Sequence, residues 1–561
     1  MQTLPNPSLS WADLEPRYTA LERETLTPET AADWLKRWSD LENDVIQAYV
    51  QVNRAATEDT SSKTAEAAFL EYIQNVMPPV ERHNQRLKTR LLALEWKGQP
   101  QHVQMLRRMR GEFELFNEAN VPLRADIEAL ANDYNKLSGS LRVELEGKTL
   151  NMAQALAKLV QTDRSVREAA WRGMWKSRLE LAPELDTLFL KLLEMRRQVA
   201  RNAGFENYLE YGWKEFGRFD YTPQDARDLH ESIALEVTPV LARLFQKRKQ
   251  TMNLDTLRPW DPSADPLNLE PLNPFSNTTE LEDGSERIFR ALDPELGEQF
   301  AGIRKAGNLD LEPRDNKVPG LGYCSPLPSS AEVYIHWSAV GLDADVDVIT
   351  HESGHAFHFL ASLGPEYLHW NMLAPLEFAE TISQGMELLT LPLLEKPVGF
   401  YDAPDTARAK RDKLEGVLRQ LCSPALIDAF QHWIYTQAPE HVTAEQLDTA
   451  WLELSGNYAS GIDWSGLERE EAKTWHQVGH LFSTPLYMLE YAIAWLGALQ
   501  LWRNALENPK KALEQYKYAL SLGNTKPLPE LFQAAGIRFA FDRQTVHELM
   551  VFLEGQLELG S

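Results

Sequence analysis

The chain has 561 residues, with 57 Lys and Arg against 82 Asp and Glu, a formal net charge of −25. That length exceeds what one small core needs and predicts one large or two linked domains, while the charge speaks against general binding to nucleic acid, whose phosphates would be repelled. Hydrophobic residues at 43% and aromatic residues at 10% are too many for a disordered chain.

The N-terminus, Met1-Gln2-Thr3-Leu4-Pro5, has neither a basic nor an apolar signal region, so no secretory leader is expected. The first 250 residues or so then read as helix after helix. Pro28-Glu29-Thr30 opens a pattern with Trp34, Leu35, Trp38, Leu41 and Val45 at helical spacing. Comparable patterns run through Ala65 to Val76, Val103 to Leu115, Leu123 to Leu145 and Val166 to Ala200. Between Arg82 and Arg110 the chain is locally basic, but the charges fall at helical spacing and read as a solvated face. From Leu257 to Ser285 five prolines (Pro259, Pro262, Pro266, Pro271 and Pro274) predict a long irregular connection, a candidate boundary or lid. The division expected on this reading is a mostly helical lobe over 1–255 and a catalytic lobe over 256–561, with elements shared between them.

Pro319, Gly320 and Gly322 break any helix, and Ala331 to Trp337 reads as a short strand rich in β-formers. An extended peptide could pair with the free edge of that strand, and Gly320 and Gly322 would let backbone approach closely. Helices resume at Ala344, with Asp343 expected as N-cap. Leu486 to Trp502 is the most apolar stretch, but Glu490 and Gly497 interrupt it, and it reads as a buried helix and not a membrane span. The fold expected is mainly α, with a small sheet just before the chemistry. The only two cysteines, Cys324 and Cys422, give no disulfide framework and favour a reducing, cytoplasmic setting.

The chemistry starts at His351-Glu352-Ser353-Gly354-His355, an H-E-x-x-H motif. Residues i and i+4 share one helix face, so both imidazoles can reach one ion, with Glu352 beside them as a base for bound water. Gly354 costs roughly 1 kcal/mol of helix propensity relative to Ala, which close packing against another backbone would explain. A catalytic zinc of this kind wants two His and one carboxylate. Glu377, Glu380 and Glu387 lie on a second helical stretch past a turn at Gly364-Pro365, on one face, with Phe378, Ile382 and Leu389 turned inward on another.

His351 to His355 followed by Phe378-Ala379-Glu380-Thr381-Ile382-Ser383-Gln384 resembles the M3 family of zinc oligopeptidases, which includes thimet oligopeptidase and oligoendopeptidase F. In that family the third ligand is a Glu about 25 positions after the second His, and Glu380 stands 25 positions after His355. Gly322-Tyr323-Cys324 and Leu342 to Val346 resemble the oligoendopeptidase F branch. Gly479-His480-Leu481-Phe482 and Pro485 to Ala492 resemble the family's His- and Tyr-bearing segment, and Ala203 to Tyr208 is a weaker match. Ser353 stands where the family often carries a bulkier residue.

The resemblance implies two mostly helical lobes around a deep channel that admits short peptides, and one Zn²⁺ on His351, His355 and Glu380. It also implies Glu352 as general base, and His480, Tyr487 and Tyr491 as candidate donors to the oxyanion. Asp347, Glu377 and Glu387 are candidates to orient the ligands, each otherwise a surface acid. Cys324 would line the cleft. Two other readings stand beside this one. A zinc carboxypeptidase of the M32 type shares the motif and a helical fold, and a peptide-binding protein without catalysis would have no need of Glu352. The oligomeric state is not set by anything in the sequence.

Overall fold

The computed structural model describes residues 9–314, 316–317, 322–364, 367–372, 374–459 and 461–559. The expectations placed on Met1 to Pro5, Pro319, Gly320 and Pro365 lie outside these residues. The chain is mainly helical, and it divides into two compact units, each assembled from three segments. The first comprises residues 1–113, 273–406 and 497–539, and the second residues 114–272, 407–496 and 540–561.

In the first unit, helices Trp11–Arg23, Ala31–Glu58, Met77–Ala93 and Val103–Leu115 bury an apolar stripe. Trp34, Leu35, Trp38 and Leu41 lie inside it at the spacing read from the sequence. The helix predicted over Ala65 to Val76 is α-helical only from Lys63 to Glu71 and continues as a π-helical turn, Tyr72–Val76.

A three-stranded sheet follows in the same unit. Its strands, numbered with the hairpin of the second unit as β1 and β2, are β3 (Leu309–Asp310), β4 (Tyr323–Leu327) and β5 (Glu332–His336), in the order β3-β5-β4. β5 is therefore the central strand, parallel to β3 and antiparallel to β4. This corrects the expectation of a free edge on Val333 to Trp337, since both sides of that strand are already paired. Among the described residues the edge strands are β3 and β4. β5 reads as the stronger strand because it is sandwiched: Val333, Tyr334, Ile335 and His336 are all buried.

In the second unit, Arg164–Asn202 is one long helix capped by Asp163, whose side chain accepts from the Ser165 N–H. The helix predicted from Leu123 to Leu145 ends at Ser140, and Arg142–Leu145 (β1) pairs with Lys148–Asn151 (β2) as a hairpin. Its two-residue turn, Glu146-Gly147, has φ of 52° and 75°. Positive φ at both positions is what a turn matched to strand twist requires, and Gly147 supplies one of them without strain. The proline-rich connection is irregular only up to Ser276, because Asn277 caps a helix over Thr278–Leu292. Leu489–Glu507 carries the apolar stretch, and no helix among the described residues is long and apolar enough to cross a membrane.

Candidate metal centre and catalytic residues

Two helices of the first unit build the centre. The motif helix runs Asp343–Ser362 and the second helix Leu376–Thr390. Asp343 is the first helical residue and not the cap. Capping falls to Asp345, whose Oδ2 accepts from the N–H groups of Val340, Gly341 and Leu342 at 2.8, 2.9 and 2.9 Å. Its Oδ1 accepts from the Trp337 indole at 2.8 Å, which ties the helix start to the end of β5. Asp343 instead accepts from the Tyr401 hydroxyl.

The two helices touch at Gly354. A Cβ added there would lie 2.8 Å from the Cα of Ser383, closer than van der Waals contact allows. Ser353, also turned inward, donates back to the Ile349 carbonyl at 2.6 Å. The small pair Ser353-Gly354 inside the motif is thus what lets the second helix approach. That helix has no solvated face, because every residue from Glu377 to Thr390 is buried. Glu377 and Glu387 are therefore not the surface acids that a helical wheel suggests, whereas Asp347 is half-buried.

Close approach brings three donors together. His351 Nε2 lies 3.4 Å and His355 Nε2 3.9 Å from Glu380 Oε2, and the two rings stand nearly perpendicular with centroids 4.9 Å apart. Ser383 Oγ, part of the segment that carries the resemblance but given no role there, is 3.3 Å from the same carboxylate oxygen. Glu387 Oε1 lies 2.7 Å from His351 Nδ1. A proton on Nδ1 donated to Glu387 leaves the Nε2 lone pair facing Glu380, the tautomer a metal ligand needs.

Burial works against a charge on His351, but its bonds to Glu380 and Glu387 outweigh it and lift the imidazole well above its ordinary range. At His355 burial dominates and pushes the value down to about 4. Glu352 is buried, and burial together with the neighbouring Glu380 and Glu387 pushes its carboxyl up to about 7, against the opposing pull of His351 and a hydrogen bond from the Cys324 N–H. β4 thus reaches the centre through its backbone at Cys324, while the Tyr323 side chain is turned to Thr57 and stacks on His336. The Cys324 thiol is raised well above its usual range, first by burial and then by Glu352. Gly322 packs against Trp337 and Val348.

His480, Tyr487 and Tyr491 belong to the second unit, on the turn of helix Gly479–Ser483 and at the start of Leu489–Glu507. They pack on one another. The His480 ring stacks on Tyr487 with centroids 5.4 Å apart, and Tyr491 meets His480 and Tyr487 at 6.3 and 5.4 Å. All three are half-buried. The turn is held from below: Leu486, at φ 69°, donates its N–H to Gln431 Oε1 and accepts from Arg218 at its carbonyl, both at 2.5 Å. Arg218 is in turn bonded to Glu490 at 3.0 Å.

A model of peptidase family M3 matches residues 159–551, most of the chain. An oligoendopeptidase F homolog of Borreliella burgdorferi is 21% identical over 442 residues, which cover 75% of this chain and 71% of that protein. Among solved structures, PZ peptidase A with an inhibitor matches at a TM-score of 0.89 and 23% identity, over 98% of both chains. A putative oligoendopeptidase F from Bacillus anthracis matches at 0.85 and 20% identity, over 100% of this chain and 98% of that one. These identities make the solved structures evidence for the fold, and the family match carries the assignment: the chain belongs to peptidase family M3.

Proposed function

We propose that this metallopeptidase cleaves short peptides internally, with Zn²⁺ held by His351, His355 and Glu380. The observation that carries the reading is the donor set itself: two imidazole nitrogens and one carboxylate oxygen within 4.8 Å of one another, one imidazole oriented from behind by Glu387. Two nitrogens and one oxygen, with a position left open, suit catalytic zinc. When bound, the ion would polarise the scissile carbonyl and make a water molecule acidic enough to attack at neutral pH.

The rest of the chemistry falls to side chains of this chain. Glu352 takes the proton of the attacking water and delivers it to the departing amine nitrogen. A carboxyl pushed up toward 7 by burial is suited to doing both near neutral pH. Glu387 keeps the His351 ring from turning. We assign His480, Tyr487 and Tyr491 to hydrogen-bond donation toward the oxyanion, supported by the family's His- and Tyr-bearing segment and by their half-buried, mutually packed rings. The outer edge of β4 is the candidate strand for pairing with an extended peptide, since no ladder on that side is present among the described residues. A cytoplasmic setting completes the proposal.

The test is Glu352→Gln. Peptide cleavage should fall by at least about 10³-fold while zinc stays stoichiometric by elemental analysis. Turnover near that of the parent protein would remove Glu352 as the base, and active protein free of any divalent ion would remove the mechanism. Products of a nonapeptide, read by mass spectrometry, should be internal fragments. Single residues trimmed from the C-terminus would favour the carboxypeptidase reading instead.

A further inference from the structure

A second group of metal-type donors lies in the second unit, on helices that carry none of the proposed zinc ligands. His230 projects from helix Pro223–Thr251, and Asp428 and His432 project one turn apart from helix Ala403–Thr436. All three are buried, at 7%, 0% and 4% exposure. His230 Nε2 lies 2.9 Å and His432 Nε2 3.3 Å from the same oxygen of Asp428, Oδ2, and the two rings are nearly perpendicular with centroids 5.2 Å apart. The three donor atoms are within 4.8 Å of one another, as in the M3 centre.

Hydrogen bonding within the protein leaves this group incompletely satisfied. Both ring nitrogens of His432 and the second oxygen of Asp428 are buried without a hydrogen-bond partner. No Arg or Lys pairs with Asp428 among the described residues; its ion-pair contacts are the two imidazoles. A carboxylate taken fully out of water costs several kcal/mol unless a positive charge compensates it. His432 offers two buried ring nitrogens, and among the described residues its ion-pair contact is Asp428, at 3.3 Å. A divalent cation resolves the whole group at once: it compensates the carboxylate and takes the inward lone pair of each imidazole. Ligands about 2.0–2.1 Å from a tetrahedral ion stand about 3.3 Å apart, close to the 2.9 and 3.3 Å found here and shorter than the 3.4 and 3.9 Å of the M3 centre.

We propose that His230, Asp428 and His432 form a second, structural divalent-metal site of the zinc class, which cross-links helices Pro223–Thr251 and Ala403–Thr436. Imidazole with carboxylate selects a transition ion over Mg²⁺ or Ca²⁺, which prefer all-oxygen shells. His432 is also covered by the Trp213 indole, in edge contact at 5.9 Å, so the ion would exchange slowly with solvent. The imidazoles of His351 and His355, by contrast, keep 22% and 23% side-chain exposure.

The test counts zinc in the full-length protein expressed with Zn²⁺ in the medium. Two zinc ions per chain are expected, with brief treatment by a chelator removing one together with peptidase activity. Glu380→Ala should retain one ion, because only the M3 centre is damaged. His432→Gln should also retain one, with peptide turnover unchanged and a lower Tm. If His432→Gln does not fold, the counts for the parent protein and Glu380→Ala still decide. A parent protein that never exceeds one zinc per chain, a Glu380→Ala protein with none, or a folded His432→Gln protein that keeps two would each overturn the proposal.

Discussion

Glu387 touches no substrate in the scheme above, yet the His351 ring depends on it, since the 2.7 Å bond to Nδ1 fixes both tautomer and orientation. Glu387→Gln should weaken zinc affinity about 10–100-fold, measured by competition with a chromophoric chelator, and excess Zn²⁺ should restore much of the turnover. Gly354 is constrained by space, not by backbone angle. Gly354→Ala places a methyl 2.8 Å from the Ser383 Cα, so it should destabilise by about 1–3 kcal/mol in urea unfolding despite the better helix propensity of Ala. At this scale spacing alone made the imidazole pair legible, at i and i+4, while Glu380 was singled out among three acids only by the family resemblance. The sequence was silent where the signal is three-dimensional. Nothing local to Glu377 or Glu387 tells that their helix is enclosed on every side, and Asp345 displaced Asp343 as cap because an acid at the third helical position reaches back to the free N–H groups.

Among the elements, the central strand β5 was visible from its β-branched and aromatic run, but its neighbours were not. β3 has two residues and β4 contains Pro326, so neither has the length or composition of a strand read alone. The β1–β2 hairpin was hidden for a related reason: Arg142 to Asn151 follows a strong helical pattern with no proline to stop it, and only Gly147 marks the turn. The short strand β3 is held by charge. Asp310 pairs with Arg314 through two bonds at 2.7 and 2.9 Å and with Lys317 at 3.2 Å. Burial raises its carboxyl, but His336, Arg314 and Lys317 outweigh that and hold it well below the usual carboxylate range. A depressed carboxyl contributes stability above its unfolded value and loses it as pH falls, so Asp310→Asn should cost about 2–4 kcal/mol near neutral pH. The gap between variant and parent should begin to narrow below about pH 4 and go on narrowing as pH falls toward the depressed folded value. A gap in Tm that stayed constant from pH 8 to pH 3 would show that the charge is not what holds β3.

For the whole molecule, the charge of −25 sets a long-range field. Cationic peptides should be cleaved with higher kcat/KM than acidic ones of equal length at low salt, with the ratio shrinking several-fold between about 0.02 and 0.5 M NaCl as the screening length drops below about 5 Å. A flat ratio would confine the charge to solubility. The units themselves left little trace in the sequence, because three of their boundaries fall inside continuous helices, after Phe113, after Thr406 and after Leu496, where composition does not change. That interleaving has a consequence for the time order in which the chain is made. The enclosed helix Leu376–Thr390 is roofed by residues from the far end of its unit: Tyr516 donates to the Ile382 carbonyl at 3.1 Å, Phe532 meets Phe378 at 5.5 Å between ring centroids, and Gly497 packs on Thr381. The H-E-x-x-H segment therefore leaves the ribosome long before the residues that seat its third ligand. A nascent chain halted anywhere short of Phe532 already holds His351, Glu352 and His355 but lacks residues that enclose Leu376–Thr390.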